Sequence, residues 1–175
     1  YSPPEQNTEK VIVPSQMVKD DIVKNLKIPE NLVIVVYPGI EFPKTCSKQI
    51  NSVFTFGISA PGIQNKGGYI FLKSLYFLKR QGYDFKARII YPRYNSNFWV
   101  KFLVKLYGIG KNVEFLSFQN NMNDFYNSID CLIMPSINEA FGLVALEALA
   151  NKTPCIISSN SGITEVIEHS KECLV

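Results

Sequence analysis

Apolar residues fall along this chain in two alternating patterns, short unbroken runs and stretches in which they recur every three or four positions. The first is the pattern of strands buried on both faces, the second that of amphipathic helices. Runs at 11–13, 32–37, 53–58, 87–91, 113–116, 131–134 and 154–158 are predicted strands. Between the first two, Val18, Ile22, Val23 and Leu26 give one apolar face to a helix capped at Ser15 and ended by Pro29. Ile70, Leu75, Phe77 and Leu78 do the same after a glycine-rich loop at 57–68. Residues 98–107 form a helix rich in aromatics, most of them assigned to the core, and residues 120–123 cap a short helix through Tyr126. Leu143, Leu146, Leu149 and Ala150 recur at helical spacing just past the run at 131–134, so a buried strand, a short loop and a helix follow in immediate succession there.

Strands and helices alternating in this way specify a three-layer α/β domain with a parallel sheet and a ligand at the carboxyl ends of its strands. A chain of 175 residues suffices for one well-buried domain and is short for two. Its 46% hydrophobic and 19% charged content excludes a disordered chain. No apolar run reaches the ~18 to 20 residues that a membrane-spanning helix needs, and the polar start does not read as a signal peptide. A cytoplasmic protein is expected, with residues 1–10 extended or poorly ordered. Cys46, Cys131, Cys155 and Cys173 form no C-x-x-C pair, and two of them lie in predicted strands, which favours structural thiols over zinc or disulfides. The net charge of +3 hides an asymmetry: residues 1–110 hold 15 Lys/Arg against 7 Asp/Glu, and residues 111–175 hold 3 against 8. The basic residues are scattered singly, which argues against nucleic acid and leaves a modest attraction to phosphates or to the cytosolic face of an anionic membrane.

The strand-loop-helix succession carries the candidate chemistry. Glu139 lies in the loop and Glu147 eight positions later, roughly 9 Å along a helix that starts near Phe141, at ~1.5 Å per residue. The two carboxylates bracket a helix N-terminus, where unpaired N–H groups and the dipole favour an anion and Gly142 allows close approach of a ligand. A diphosphate suits that terminus, and a carboxylate can accept from adjacent sugar or ribose hydroxyls. Spacing alone equally suits an exposed helix residue and a dipole partner.

Ser136, Glu139-Ala140-Phe141-Gly142-Leu143, Leu146-Glu147-Ala148 and Pro154-Cys155-Ile156-Ile157 resemble the E-x7-E signature of retaining glycosyltransferases of the GT-B fold, glycosyl transferases group 1 of the family-four type. The resemblance covers about residues 11–175. It implies a three-layer Rossmann-like domain with a parallel sheet, the C-terminal half of such an enzyme, with residues 1–43 a remnant of the acceptor-side domain and its linker and residues 44–175 the nucleotide-sugar donor domain. The activity implied is transfer of a hexose from a nucleoside diphosphate, with retention, to a carbohydrate, lipid or protein acceptor. Donor binding without transfer is expected of these 175 residues alone, because the family builds the acceptor wall from an N-terminal domain.

Residue by residue, the resemblance gives Glu139 and Lys66 as catalytic. Glu147 falls to the ribose, Phe141, Gly142, Leu143, Gly57 and Gly162 to the diphosphate and sugar, and Phe115 and Ser117 to the base. No cofactor is implied beyond the donor. Asp-x-Asp is absent, so Lys66 and helix N-termini are expected to carry the diphosphate charge without a metal. Three positions depart from the family pattern: Ile58 replaces an Arg, and Ser161 and Thr164 replace Gly and Pro in Gly-Gly-Ile-Pro-Glu. Arg93 is either a substitute cation or a surface residue beside aromatics. Gly162 is expected to open a helix and present N–H groups, His169 to lie at that helix's end, and residues 172–175 to form a last strand. Rival readings are a nucleotide-sugar epimerase of the same fold and a non-catalytic binding module derived from it.

Overall fold

The computed structural model describes residues 9–44, 46–169 and 173–175. The extended start expected at 1–10 falls mostly on residues 1–8, which lie outside the described residues, as does Glu172. The chain opens with a small unit, strand β1 (Val11–Val13), helix α1 (Gln16–Leu26) and strand β2 (Val33–Val35), whose two strands pair in parallel. Val13, Ile28 and Val33 are buried there against Val18, Ile22 and Val23 of α1. Ser15 caps the helix as expected, its Oγ accepting from Val18 N at 3.2 Å.

The remainder is a six-stranded parallel sheet. Its first half runs β3 (Thr55–Ser59), α2 (Gly68–Arg80), β4 (Lys86–Ile90), α3 (Phe98–Leu106) and β5 (Val113–Leu116). The second half runs α4 (Met122–Asn127), β6 (Cys131–Met134), α5 (Leu143–Ala150), β7 (Cys155–Ile157) and β8 (Cys173–Leu174). The order is β5-β4-β3-β6-β7-β8, so the chain reverses its direction of travel between β3 and β6, where Phe56 pairs with Cys131 and Gly57 with Leu132. In an open parallel sheet the ligand crevice lies at that reversal, outside the carboxyl ends of the strands.

Side chains of successive strand residues enter opposite layers. Ile58 and Ile89 pack with Phe71, Leu72 and Leu75 of α2 and Val100 and Val104 of α3. Ile90 and Leu132 pack with Phe125 and Tyr126 of α4 and Ala145 and Ala148 of α5. Each fully buried Leu or Ile in these layers contributes about 1.5–3 kcal/mol. Cys131 and Cys155 are buried among them, and burial pushes their thiols up to about 11 and about 12. No helix among the described residues is long and apolar enough to cross a membrane.

Three expectations need correction. The aromatics of α3 are not core: Phe98, Trp99 and Phe102 are 71%, 65% and 43% exposed. The helix meets the sheet along the narrow line of Val100 and Val104, whereas its apolar residues wrap most of its circumference. The helix expected to open at Gly162 is a single 3-10 turn, Gly162–Glu165. Glycine and β-branched Ile163 and Thr164 are weak helix formers, and Thr164 Oγ1 donates to Ser161 O at 2.7 Å. His169 consequently sits in a parallel bridge with Cys173 and not at a helix end.

Candidate functional site

The β6–α5 loop is set by backbone bonds from its neighbours. Ile137 N donates to Asn65 O at 3.1 Å, Glu139 N to Asn160 O at 3.0 Å, and Gly162 N and Ile163 N return to Glu139 O and Phe141 O at 3.0 and 2.7 Å. Ser158 Oγ donates to Ser136 O at 2.6 Å, and buried Ser15 donates its hydroxyl to Ala140 O at 2.7 Å. Gly142 then turns the chain into α5 at φ 112°, where a Cβ would lie 2.9 Å from Met134 Cε. The N–H groups of Leu143 and Val144 stand in the first turn, ahead of the ladder that begins with Ala145 N on Gly142 O. Leu143 is exposed there, whereas the Phe141 ring is buried 6.1 Å from that of Tyr37. The Phe141 side chain therefore packs in the interior, and its carbonyl is taken by Ile163 N.

Lys66 and Glu139, 73 residues apart, meet at the sheet reversal. Lys66 Nζ lies 2.6 Å from Glu139 Oε2, with side-chain exposures of 36% and 16%, and Ser136 Oγ donates to the same oxygen at 3.1 Å. Gly67 makes the meeting possible. At φ 68° it starts α2, and a Cβ on it would lie 1.9 Å from Pro135 O, so the two loops touch through a position that only glycine can fill. An ammonium has three donors, which leaves Lys66 two for an incoming oxyanion, and Glu139 Oε1 keeps its acceptor capacity.

Glu147, on α5, accepts from the hydroxyl of Tyr126 at 2.6 Å. Tyr126 is 0% exposed; burial raises its hydroxyl well above the ordinary tyrosine range, and the bond to Glu147 raises it further. Sequence reading missed Tyr126. The available signal was a tyrosine beside Phe125 on an apolar helix face, since a buried hydroxyl needs a partner. Ser136 and Ser15 were read only as a motif residue and a helix cap, Gly67 only as part of a glycine-rich loop, and no residue pattern announced their long-range partners.

The remaining candidates divide. Phe115 stacks on Tyr94 with centroids 3.7 Å apart and planes within 5°, and both line a hollow of about 300 Å³ with Ser117 at the ends of β4 and β5. Arg93 lines a second hollow of about 240 Å³ with Gly62, Gln64 and Asn65, next along the chain to Lys66. Gly57 serves packing: a Cβ on it would lie 2.2 Å from Ile129 Cδ1. Gly162 does not present a free N–H, which is taken by Glu139 O, and its lack of a side chain lets Ser15 and Ala140 O close on it. Ile58 is 1% exposed inside the α2–α3 layer, so a core side chain fills that position.

The N-terminal unit is also docked on the turn that follows β7. Glu165 accepts from Gln16 N and Met17 N at 2.8 Å each, a carboxylate on the first turn of α1, and from the Tyr37 hydroxyl at 3.0 Å. Between α1 and the loop lies a hollow of about 460 Å³ lined by Met17, Asp20, Asp21, Lys24, Asn138 and Glu139. The larger apolar hollow of about 580 Å³, lined by Phe54, Asp84, Phe85 and Pro154, opens at the amino ends of the strands, the wrong end for this kind of site.

With this geometry in place, comparison with known proteins is informative. A model of the family described as glycosyl transferases group 1 matches residues 60–175. An uncharacterised glycosyltransferase of Methanocaldococcus jannaschii is 32% identical over 177 residues, spanning 91% of this chain and 45% of that protein. Two crystal structures share the fold: a glycosyltransferase from Rickettsia africae (TM-score 0.83, 20% identity, 95% of this chain and 48% of that one), and Anabaena HepE in complex with UDP and glucose (TM-score 0.79, 21% identity, 95% and 48%). The chain spans about half the length of these proteins.

Proposed function

The chain belongs to the glycosyl transferases group 1 family, and from that premise we propose that it binds a nucleoside diphosphate sugar at the β3–β6 reversal for transfer of a hexose with retention. The observation that carries this reading is the Lys66–Glu139–Ser136 cluster set between the first turns of α2 and α5. Transfer breaks the bond between the anomeric carbon and the diphosphate, whose oxygen leaves with the electron pair, and forms a bond to an acceptor oxygen whose proton passes to the departing diphosphate. In this reading the free donors of Lys66 and the N–H groups of Leu143 and Val144 receive the diphosphate and its growing charge. Glu139 faces the sugar, and Glu147, steadied by Tyr126, takes the ribose hydroxyls. HepE, crystallised with UDP and glucose, is the precedent for the donor class. Residues 44–175 form the donor unit in this assignment, and the hollow between α1 and Glu139 is the acceptor's side, with the acceptor a carbohydrate, lipid or protein. The relatives reported above are named as glycosyltransferases, which gives the epimerase no support.

Calorimetric titration with the diphosphates of uridine, guanosine and adenosine, with and without magnesium, tests the reading. Binding of at least one, unchanged by magnesium, is the expected result. No heat and no change in melting temperature with all three would abandon it.

A further inference from the structure

We propose that the outward face of α3 docks on an anionic phospholipid surface. The helix reads Phe-Trp-Val-Lys-Phe-Leu-Val-Lys-Leu. At 3.6 residues per turn, buried Val100 and Val104 point at the sheet, and Phe98, Trp99, Phe102 and Leu106 share the opposite arc, bordered on one side by Lys101 and Lys105. Leu106 is 62% exposed, so the apolar arc reaches from one end of the helix to the other. Its rings gather on one another: Phe98–Trp99 centroids are 5.9 Å apart, Trp99–Phe102 6.1 Å and Phe98–Phe102 6.4 Å. A contiguous apolar patch of this kind marks a surface that is covered in use.

Charge selects the cover. α3 carries two lysines and no acid, and residues 60–111 hold ten Lys/Arg against Asp84 alone. Lys101 donates to Asn95 O at 2.7 Å, while exposed Lys105 and Lys111 stand at the far end of the helix and just beyond it. A second copy of this chain packed α3 against α3 would bring the same positive field to the contact and be repelled by it. Aromatic rings bordered by lysines instead suit the boundary of a bilayer, with rings at headgroup depth and ammonium groups reaching lipid phosphates. Because β4 ends at Ile90 and α3 begins at Phe98, the aromatic end of the helix lies at the carboxyl edge of the sheet, the edge of the Lys66–Glu139 cluster. A docked membrane would border the crevice, whatever ligand the crevice takes.

Trp99 is the one tryptophan of the chain, so its emission reports on this face alone. Vesicles mixing phosphatidylglycerol with phosphatidylcholine should shift that emission to the blue, and brominated acyl chains should quench it. Phosphatidylcholine alone should bind about tenfold more weakly, and about 0.5 M salt, with a screening length near 4 Å, should reverse binding. Lys101→Glu with Lys105→Glu should cost about tenfold in vesicle affinity with unchanged circular dichroism. Phe98→Ala with Phe102→Ala, at exposed positions that spare the core, should abolish the shift. Unchanged emission with anionic vesicles overturns the proposal. So does equal binding to both vesicle types, or a blue shift that follows protein concentration without lipid, which would make the face a contact between copies.

Discussion

The two loops that meet at the ligand end of the sheet are held by different means. The β6–α5 loop is bonded from outside, by Asn65, Asn160, Ser158, Gly162, Ile163 and Ser15. The β3–α2 loop closes on itself: Lys66 N bonds Gly62 O at 3.0 Å, Gly67 N bonds Gln64 O at 3.2 Å, and Gly68 N bonds Ile63 O at 2.7 Å. The externally bonded loop keeps the E-x7-E pattern with its carboxylates in place, and its altered neighbours are absorbed, Ser161 beside Ser158 Oγ at 3.3 Å and Thr164 on Ser161 O. The strand that feeds the self-closed loop has Ile58 where the family pattern has arginine. A loop fixed by many partners constrains each residue in it, whereas one fixed by its own turns can change its strand end and still deliver a lysine. The lesson is that Lys66 reaches Glu139 by backbone contact at Gly67 more than by any side-chain pattern.

Restoring the family's arginine should break the comparison most strongly. Ile58→Arg places a charge in the α2–α3 layer at a side chain that is 1% exposed, and an unpaired buried charge costs about 3–5 kcal/mol. Urea unfolding should show that loss with no gain in nucleotide affinity. A variant that stays stable and binds more tightly would mean that the strand end can turn the side chain into the crevice.

Gly67→Ala should come next, at about 3 kcal/mol, because a Cβ 1.9 Å from Pro135 O adds overpacking to an unfavourable left-handed backbone. Gly62→Ala is the control within the same loop: a Cβ there meets nothing within 4 Å. Unfolding midpoints that drop equally for the two variants would show that the close approach to Pro135 O is not what restricts position 67.

How much of this was legible in the sequence follows the range of the interactions. The strands at 113–116 and 131–134, the Ser15 cap and the α/β alternation rest on local pattern and were read directly. Glu139, Glu147 and Lys66 were singled out because their own neighbours along the chain carry a recognisable motif. What failed was what depends on which elements touch. The α3 aromatics were placed inside because apolar content says nothing of how wide a stripe the sheet will cover. Gly162 was read as a donor because Glu139 O, its acceptor, is 23 residues away. Tyr126 has a role that exists only once α4 and α5 lie side by side.

Glu139 in the externally bonded loop and Glu147 on the helix it feeds should separate by ligand. Glu147→Ala should weaken binding of the free nucleoside diphosphate by about 1–3 kcal/mol, the loss of one charged hydrogen-bond partner. Glu139→Ala should spare the free diphosphate and weaken the intact nucleotide sugar. Calorimetry with both ligands on both variants decides the matter, and equal losses throughout would refute the division of roles.

The smallest effect sharpens the assignment of Glu147. Tyr126→Phe removes one hydroxyl from a 0% exposed site and leaves the ring to pack in the α4–α5 layer. Glu147 Oε2 loses its donor at 2.6 Å but stays partly open to water, so the stability loss should be near 1 kcal/mol. If the tyrosine only filled space, nucleotide affinity would not move. If it aims the carboxylate, affinity for a ribonucleoside diphosphate should fall about fivefold, or about 1 kcal/mol, while affinity for the 2′,3′-dideoxy analogue, which lacks both hydroxyls, should stay as it is in the unsubstituted protein. A parallel fall for both nucleotides would place Tyr126 in the general framework of the layer and detach it from ribose recognition.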